Sequence, residues 1–196
     1  FVRDFGGGGL TSGAVHALDV VQWALDSDAS GPREIVAPES GQVPYVTYHY
    51  DNGVEVQITD GRLDRRHHDI PEGWDELTSL QPFGGLYVGD NGWLHVGRQG
   101  FLTTYPESIL RDHIGFSDRH QSVAGHHRNW LDCIRDRRVP HCDIAVGAQS
   151  TIVAHLGCMA RWLGRRLQWD PVREEFLHDD EANRFRRRAL REPWRV

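Results

Sequence analysis

The residues best suited to chemistry lie near the start of the chain. Ser12, His16 and Asp19 follow one another at spacings of four and three residues, so a helix would place their side chains on one face. A neutral imidazole can take a proton from a substrate hydroxyl and return it, and a nearby carboxylate can orient the imidazole or bind the substrate. We therefore predict His16 and Asp19 as catalytic residues and Ser12 as a substrate-binding residue. The alternative is a structural histidine held by its neighbours.

Two other histidines lie in segments that could reach a ligand. His49 shares one face of a predicted strand with Tyr45 and Thr47, a polar and aromatic surface that suits either a small ligand or a second subunit. His155 lies on the apolar face of a long predicted helix, where a hydrogen-bonded core histidine is the favoured interpretation. Both residues remain substrate-binding candidates.

A further cluster of possible metal ligands comprises Asp64, His67, His68 and Asp69. The two histidines are adjacent on a predicted loop and lack the spacing of four residues that lets a helix present two ligands to one ion. We interpret the cluster as solvated loop charge and predict no metal site. The arginines between Arg184 and Arg191 are interpreted in the same way, as the solvated face of a helix.

The composition excludes several classes of protein. The 196 residues carry a net charge of −6 and are 39% hydrophobic, which favours a folded domain and argues against a nucleic-acid partner. All 22 basic residues are arginine, so a Schiff-base lysine is excluded for this sequence. No apolar run is long enough to span a membrane. Cys133, Cys142 and Cys158 form no CxxC pair, which favours reduced thiols and a cytoplasmic protein.

Four consecutive glycines, Gly6–Gly9, precede the first predicted helix at residues 11–25. The run lacks both the spacing and the preceding strand of a dinucleotide-binding fingerprint. A tight backbone start to the helix is favoured over a phosphate site. We therefore predict no NAD(P) binding and no cofactor.

Turn signals divide the middle of the chain into hairpins. Asp51-Asn52-Gly53 and Asp90-Asn91-Gly92 are strong hairpin turns, each flanked by segments of strand-forming residues. Helical patterns return in the last third of the chain, where Asp143 can cap a long helix that stops at Gly164. A helix, then hairpins, then helices predict an α+β fold with an open, mostly antiparallel sheet and helices on one face. The predicted strands are 45–50, 54–59, 85–89, 93–97, 101–105 and 166–169. The predicted helices in the last third of the chain are 120–135, 143–163 and 180–190.

Several motifs together resemble the C-terminal domain of the Gfo/Idh/MocA family of sugar and cyclitol oxidoreductases. The resemblance lies in Gly6–Leu25, His127–Ile134, Arg166–Pro171 and the tail from Asp180 to Trp194. It implies one substrate and oligomerisation domain over residues 1–196, and it implies that His16 is the family's catalytic histidine. In the family a Rossmann domain binds NAD(P) and supplies a catalytic lysine, and this sequence contains neither. The position of the family's helical aspartate is occupied by Ser12.

The resemblance and the departures from it lead to two functional predictions. The first is a stand-alone, NAD-independent enzyme that interconverts anomers or epimers of a sugar, or hydrolyses a glycoside, by acid–base chemistry. The second is a non-catalytic sugar-binding and oligomerisation domain, or a C-terminal fragment of an NAD(P)-dependent sugar or cyclitol dehydrogenase. Both predict a small sugar as ligand and a homodimer or larger homo-oligomer formed through the sheet.

Overall fold

The structure is a computed structural model that describes residues 6–38, 45–59, 69–74, 84–97, 101–113, 123–188, 190 and 192–193. The chain divides into two compact units. The first comprises Phe1–Arg62 and Gln149–Val196, and the second comprises Leu63–Ala148. That residues 1–196 form one domain of the family type stays a prediction.

The elements follow the predicted order of helix, hairpins and helices. They are a π-helical turn (Leu10–Ala14), α1 (Val15–Ala24), β1 (Glu34–Val36), β2 (Tyr45–His49), β3 (Glu55–Thr59), β4 (Gly84–Gly89), β5 (Gly92–Gly97), β6 (Leu102–Tyr105), α2 (Ser108–His113), α3 (Val123–Asp136), α4 (Ile144–Leu163), β7 (Leu167–Asp170), β8 (Glu175–Phe176) and α5 (Asp180–Arg184).

The first unit contains a five-stranded antiparallel sheet with strand order β3-β2-β1-β7-β8. In β2 the burial alternates along the strand, so Val46 and Tyr48 are fully buried while Thr47 and His49 are half-buried on the other face. One face of the sheet is therefore a core face and the other is open. This confirms the predicted α+β class, with an open antiparallel sheet covered on one face.

The hairpin between β2 and β3 forms where the turn signal predicts it. Gly53 has a φ of 82°, a left-handed conformation that favours glycine. The side chain of Asn52 accepts a hydrogen bond of 3.1 Å from the amide of Val54, and the amide of Gly53 donates to the carbonyl of Tyr50 at 3.0 Å. The turn is held by its own side chain and backbone.

Helices α1 and α4 cover the core face of this sheet. Leu18 of α1 and Leu156 of α4 are almost completely buried in one cluster with Ile35 and Tyr48. Gly157 permits a close approach there, because a Cβ atom added to it would lie 2.0 Å from the hydroxyl oxygen of Tyr48. The long helix α4 thus needs a glycine where it meets the sheet.

Both ends of α4 follow the sequence prediction. The side chain of Asp143 accepts a hydrogen bond of 2.7 Å from the amide of Ala145, which satisfies one of the free donors of the first turn. At the other end Gly164 has a φ of 64°, and its amide donates to the carbonyl of Ala160 at 2.8 Å.

The last predicted helix is much shorter than expected. Residues 180–190 were predicted to be helical, whereas α5 comprises only Asp180–Arg184. The amides of Phe185 and Arg186 donate to carbonyls three residues earlier, at 3.0 and 3.3 Å, which tightens the last turn and ends the helix. Arg186, Arg187 and Arg188 are exposed, as predicted, but they do not form a helix face, so the helical part of that interpretation was wrong. Arg191 lies outside the described residues.

The second unit contains a separate three-stranded antiparallel sheet with order β4-β5-β6. Trp74, Trp93 and His95 are buried there, and the indole nitrogen of Trp93 donates to the carbonyl of Glu72 at 2.8 Å. Trp130, on the predicted apolar side of α3, is 57% exposed, while Cys133 is buried instead. Within the described residues, no helix combines the length and apolar character needed to cross a membrane.

Candidate functional site

The glycine run forms a tight backbone start to the first helix, as predicted. Gly8 has a φ of 93°, and its carbonyl accepts a hydrogen bond of 3.1 Å from the amide of Ser12. A Cβ atom added to Gly7 would lie 2.5 Å from the side-chain oxygen of Thr11. The thiol of Cys158 on α4 donates to the carbonyl of Gly7 at 2.9 Å, which ties this segment to the core helix.

The predicted catalytic residues lie on the accessible side of this first helical segment. Ser12, His16 and Asp19 are all exposed, whereas Leu18 on the same helix is fully buried. The carboxylate of Asp19 accepts a hydrogen bond of 2.6 Å through Oδ1 from the hydroxyl of Ser150 on α4. The carboxylate is thereby held in one orientation, while its other oxygen remains an acceptor.

A buried polar network fixes the end of α1. The side chain of Gln22 is completely buried, and its amide nitrogen donates to the carbonyls of Ser27 and Ser30 at 2.8 and 3.0 Å. The hydroxyl of Tyr50 donates to Oε1 of Gln22 at 2.6 Å. Burial raises the pKa of this phenol well above its ordinary value, so the hydroxyl keeps its proton. The network sets the position of α1 against β2 and the turn that follows it.

His49 lies on the open face of the five-stranded sheet, among acidic side chains. Its Nε2 lies 3.7 Å from Oε2 of Glu34, and its Nδ1 lies 3.7 Å from Oε2 of Glu55. The guanidinium of Arg166 pairs with the same Glu34 at 2.9 Å. This polar face is opposite to the core face that α1 covers, so the structure does not bring His49 together with His16.

His155 is half-buried rather than enclosed in the core. It lies five residues after Ser150 on α4, so the two side chains leave the helix axis about 140° apart. His155 lines a cavity of about 850 Å³ in the first unit, bounded mainly by α4, β7 and the segment after α5. Burial is the larger cause of the lowered pKa of His155, and the positive charge of Arg188 lowers this pKa further. It is therefore a neutral imidazole near pH 7, separate from the surface that carries His16.

Ser150 and His95 were not predicted from the sequence as residues of interest. Ser150 is a small polar residue in an apolar helix, and its contact with Asp19 joins residues 131 positions apart, which no local pattern reveals. His95 is 4% exposed, with its ring centroid 5.3 Å from that of Phe101 and 6.3 Å from that of Trp74. Burial lowers its pKa, and its Nδ1 has no hydrogen-bond partner among the described residues. His95 lies two residues after Trp93 in β5, so the alternation of the strand places both side chains on the buried face. That spacing was the signal that the sequence offered.

No metal centre is found in the described part of the chain. There, no group of three or more His, Cys, Asp or Glu side chains is placed to hold an ion. Of the loop cluster considered from the sequence, Asp64, His67 and His68 lie outside the described residues.

Comparison with known proteins places the chain in a family. A family model described as "Oxidoreductase family, C-terminal alpha/beta domain" matches residues 98–196, which are half of the chain. A similar solved structure is that of an oxidoreductase from Agrobacterium radiobacter in complex with NAD+, L-tartaric acid and magnesium, at 13% sequence identity and a TM-score of 0.40. The similarity covers 80% of this chain and 48% of that one, so this chain spans about half of its length. No curated protein sequence matches.

The matched range contains α3, α4, β7 and the C-terminal segment, but not α1. The roles of Ser12, His16 and Asp19 therefore stay predictions, while the resemblance of the C-terminal motifs is confirmed. The chain belongs to the Gfo/Idh/MocA oxidoreductase family, of which it carries the C-terminal domain.

Proposed function

We propose that the chain binds a sugar or a related polyol on the α1 surface formed by Ser12, His16 and Asp19. His16 transfers a proton at a substrate hydroxyl, in a reaction that needs no nucleotide. The observation that carries this proposal is the hydrogen bond from Ser150 to Asp19, because it orients a carboxylate on the helix that presents the exposed imidazole. An oriented carboxylate and an accessible base are the two groups that acid–base chemistry on a hydroxyl requires.

Ring opening of a cyclic sugar illustrates what these groups can do. His16 accepts the proton of the anomeric hydroxyl, a carbonyl forms, and the bond between the anomeric carbon and the ring oxygen breaks. The ring oxygen takes a proton from water, and closure by the reverse path gives either anomer. Asp19 binds a neighbouring hydroxyl through the oxygen that Ser150 does not occupy.

A second candidate function is favoured by the family match itself. The matched model describes the C-terminal domain of an oxidoreductase family, so the chain could supply the substrate side of an NAD(P)-dependent sugar or cyclitol dehydrogenase. The same surface would bind the substrate, and His16 would accept its hydroxyl proton. The redox step would then belong to a nucleotide held by another domain. If the chain takes part in no reaction, it is a sugar-binding domain without catalysis.

A panel of sugars followed by NMR separates these functions. Faster exchange between anomers, or loss of a glycoside, in the absence of nucleotide supports the first function. Binding without turnover supports the second, and added NAD(P) should then change nothing for this chain alone. Absence of binding at millimolar sugar would contradict both. His16→Ala is the matched variant, because it removes the imidazole from an exposed position.

The open face of the five-stranded sheet is the surface that we propose for association with a second copy. It carries charges of both signs, with Arg166 beside Glu34 and His49 between two glutamates, so it can complement itself across a twofold axis. Light scattering at micromolar concentration should show a dimer or a larger oligomer. Thr47→Glu, near the centre of that face, should shift the protein to monomers, whereas a monomeric wild type would contradict the proposal.

The three cysteines are free in the structure, and Cys133 and Cys158 are buried. Free buried thiols are typical of reducing compartments, which supports the proposal of a cytoplasmic protein.

A further inference from the structure

The cavity in the first unit has the size and lining of a ligand site. Its volume of about 850 Å³ lies within the range of roughly 300–1,000 Å³ that small-molecule sites occupy. One wall is a single face of α4, which contributes Thr151, His155, Met159 and Trp162 at spacings of four, four and three residues. Further lining residues come from the segment that follows α5.

The helix that precedes this segment, α5, is held against the sheet. Asn183 of α5 exchanges two hydrogen bonds with the backbone of Phe176, at 2.9 and 2.8 Å. Arg165 forms a bidentate ion pair with Asp179, the N-cap of α5. The short helix is therefore anchored at both ends, and the residues directly after it line the cavity.

The floor of the cavity is apolar and aromatic. Trp169 and Met159 are buried, and the ring centroids of Trp162 and Phe185 lie 6.3 Å apart. Aromatic side chains of this kind bury large apolar areas and favour flat ligands. A purely polar ligand would leave this floor unused.

The rim is strongly basic. Arg186, Arg187 and Arg188 all line the cavity, and Glu174 is the one acidic residue among its described lining residues. The side chain of Arg186 also donates to Asn183 at 3.1 Å, and Arg186, Arg187 and Arg188 are all exposed. A guanidinium is well suited to bind a carboxylate or a phosphate, because its donors match the geometry of these groups. The excess of positive charge selects an anion.

His155 adds a polar group to the lining of the cavity. It is half-buried in the cavity wall. A half-buried imidazole can bind a polar atom of a ligand through a ring nitrogen.

We propose that this cavity binds a small organic anion, with its carboxylate or phosphate against Arg186–Arg188 and its flat apolar part against Trp162 and Trp169. His155 forms a hydrogen bond to a polar atom of the ligand. The site is separate from the α1 surface, so the proposal does not depend on the proposed function.

Three probes test whether the cavity binds both the anionic group and the flat apolar part of a ligand. Phenyl phosphate carries both an anion and a flat apolar group, inorganic phosphate carries only the first, and benzyl alcohol carries only the second. Titrations of 15N-labelled protein should shift the indole resonances of Trp162 and Trp169 and give an affinity for phenyl phosphate about tenfold or more above that for either other probe. Equal affinities for all three probes, or no shift of these resonances, would overturn the proposal.

Matched variants locate the binding. Arg187→Gln should weaken phenyl phosphate about fivefold to tenfold and leave benzyl alcohol unchanged, since only the charge is removed. Arg111→Gln, an equal change of charge on α2, should have no effect. His155→Leu should weaken phenyl phosphate and His155→Gln should restore part of the affinity. His16→Ala should leave the titration unchanged, and a loss of phenyl phosphate binding in that variant would place the anion on the α1 surface instead.

Discussion

The hydroxyl of Ser150 on α4 donates a hydrogen bond of 2.6 Å to the carboxylate of Asp19 on α1, although 131 positions separate the two residues. Ser150 is buried and Asp19 is exposed. The bond therefore connects the core helix of the first unit to the surface that carries His16. It gives an exposed carboxylate the fixed orientation that an isolated surface residue lacks.

Removal of this hydroxyl should loosen the carboxylate without unfolding the protein. Ser150→Ala takes away the hydrogen bond to Asp19 and leaves a small apolar group in a buried place, so we expect a loss of about 1 kcal/mol of unfolding free energy. Sugar affinity or turnover should fall about tenfold, because the acceptor is no longer positioned. Urea unfolding and NMR titration with a bound sugar measure the two effects.

Asp19→Asn is the matched control for that variant. The amide oxygen still accepts the bond from Ser150, so orientation is kept while the charge is lost. If Ser150→Ala lowers sugar affinity and Asp19→Asn does not, orientation is what matters. Unchanged affinity in both variants would remove Asp19 from the site.

His16→Ala tests the proton transfer itself. Turnover of a confirmed sugar substrate should fall about 10² to 10⁴-fold, the usual loss when a general acid–base group is removed. The melting temperature should change little, because the imidazole is exposed and its loss leaves no cavity. His126→Ala removes an exposed histidine of α3 and should affect neither quantity. Full activity of a folded His16→Ala protein would contradict the assignment.

Ser12→Asp tests the departure from the family pattern. Ser12 is exposed one turn before His16, so an aspartate fits there without displacing the core. The variant should change sugar affinity or rate and should produce no dehydrogenase activity with added NAD(P). Measurement of NADH absorbance during turnover checks the second part, and any nucleotide reduction by this chain would contradict it.

Much of the fold could be predicted because its signals are local. The turn at Asp51-Asn52-Gly53, the cap at Asp143 and the stop at Gly164 each depend on neighbouring residues, and the structure has all three. The length of α5 was not predictable, because backbone bonds from Phe185 and Arg186 to carbonyls three residues earlier end that helix early.

The site was less predictable because its contacts join distant segments. The exposed face of α1 followed from helical spacing, but the partner of Asp19 lies on another helix. The arginines between Arg184 and Arg191 were interpreted as the solvated face of a helix, whereas α5 ends at Arg184 and the exposed Arg186–Arg188 line a cavity. The spacing of residues along the chain shows which face of a helix or strand a side chain lies on. It does not show which other element packs against that face.

One buried histidine, His95, and one half-buried histidine, His155, make stability depend on pH. In the unfolded chain each imidazole titrates near 6.5, and in the folded chain burial lowers the pKa of both His95 and His155. The folded state thus binds protons less readily, so this contribution is fully present above about pH 6.5 and is lost as the pH falls through the lowered pKa values. Urea midpoints measured from pH 7.5 to 5 should therefore decrease. His155→Gln should make the decrease shallower, whereas His126→Gln, at an exposed position, should leave it unchanged.

Gly157→Ala tests how closely α4 packs on the sheet. A new Cβ atom would lie 2.0 Å from the hydroxyl oxygen of Tyr48 and 3.1 Å from Cδ1 of Leu10, and both of these side chains are almost completely buried. Neither can move without disturbing the core, so we expect a loss of about 1–3 kcal/mol of unfolding free energy. Gly147→Ala on the same helix is the matched control, because a Cβ atom there meets no other atom within 4 Å. That substitution should instead stabilise the protein by roughly 0.5–1 kcal/mol, the difference in helix propensity between the two residues. Equal effects of the two substitutions in urea unfolding would show that α4 does not approach Tyr48 this closely.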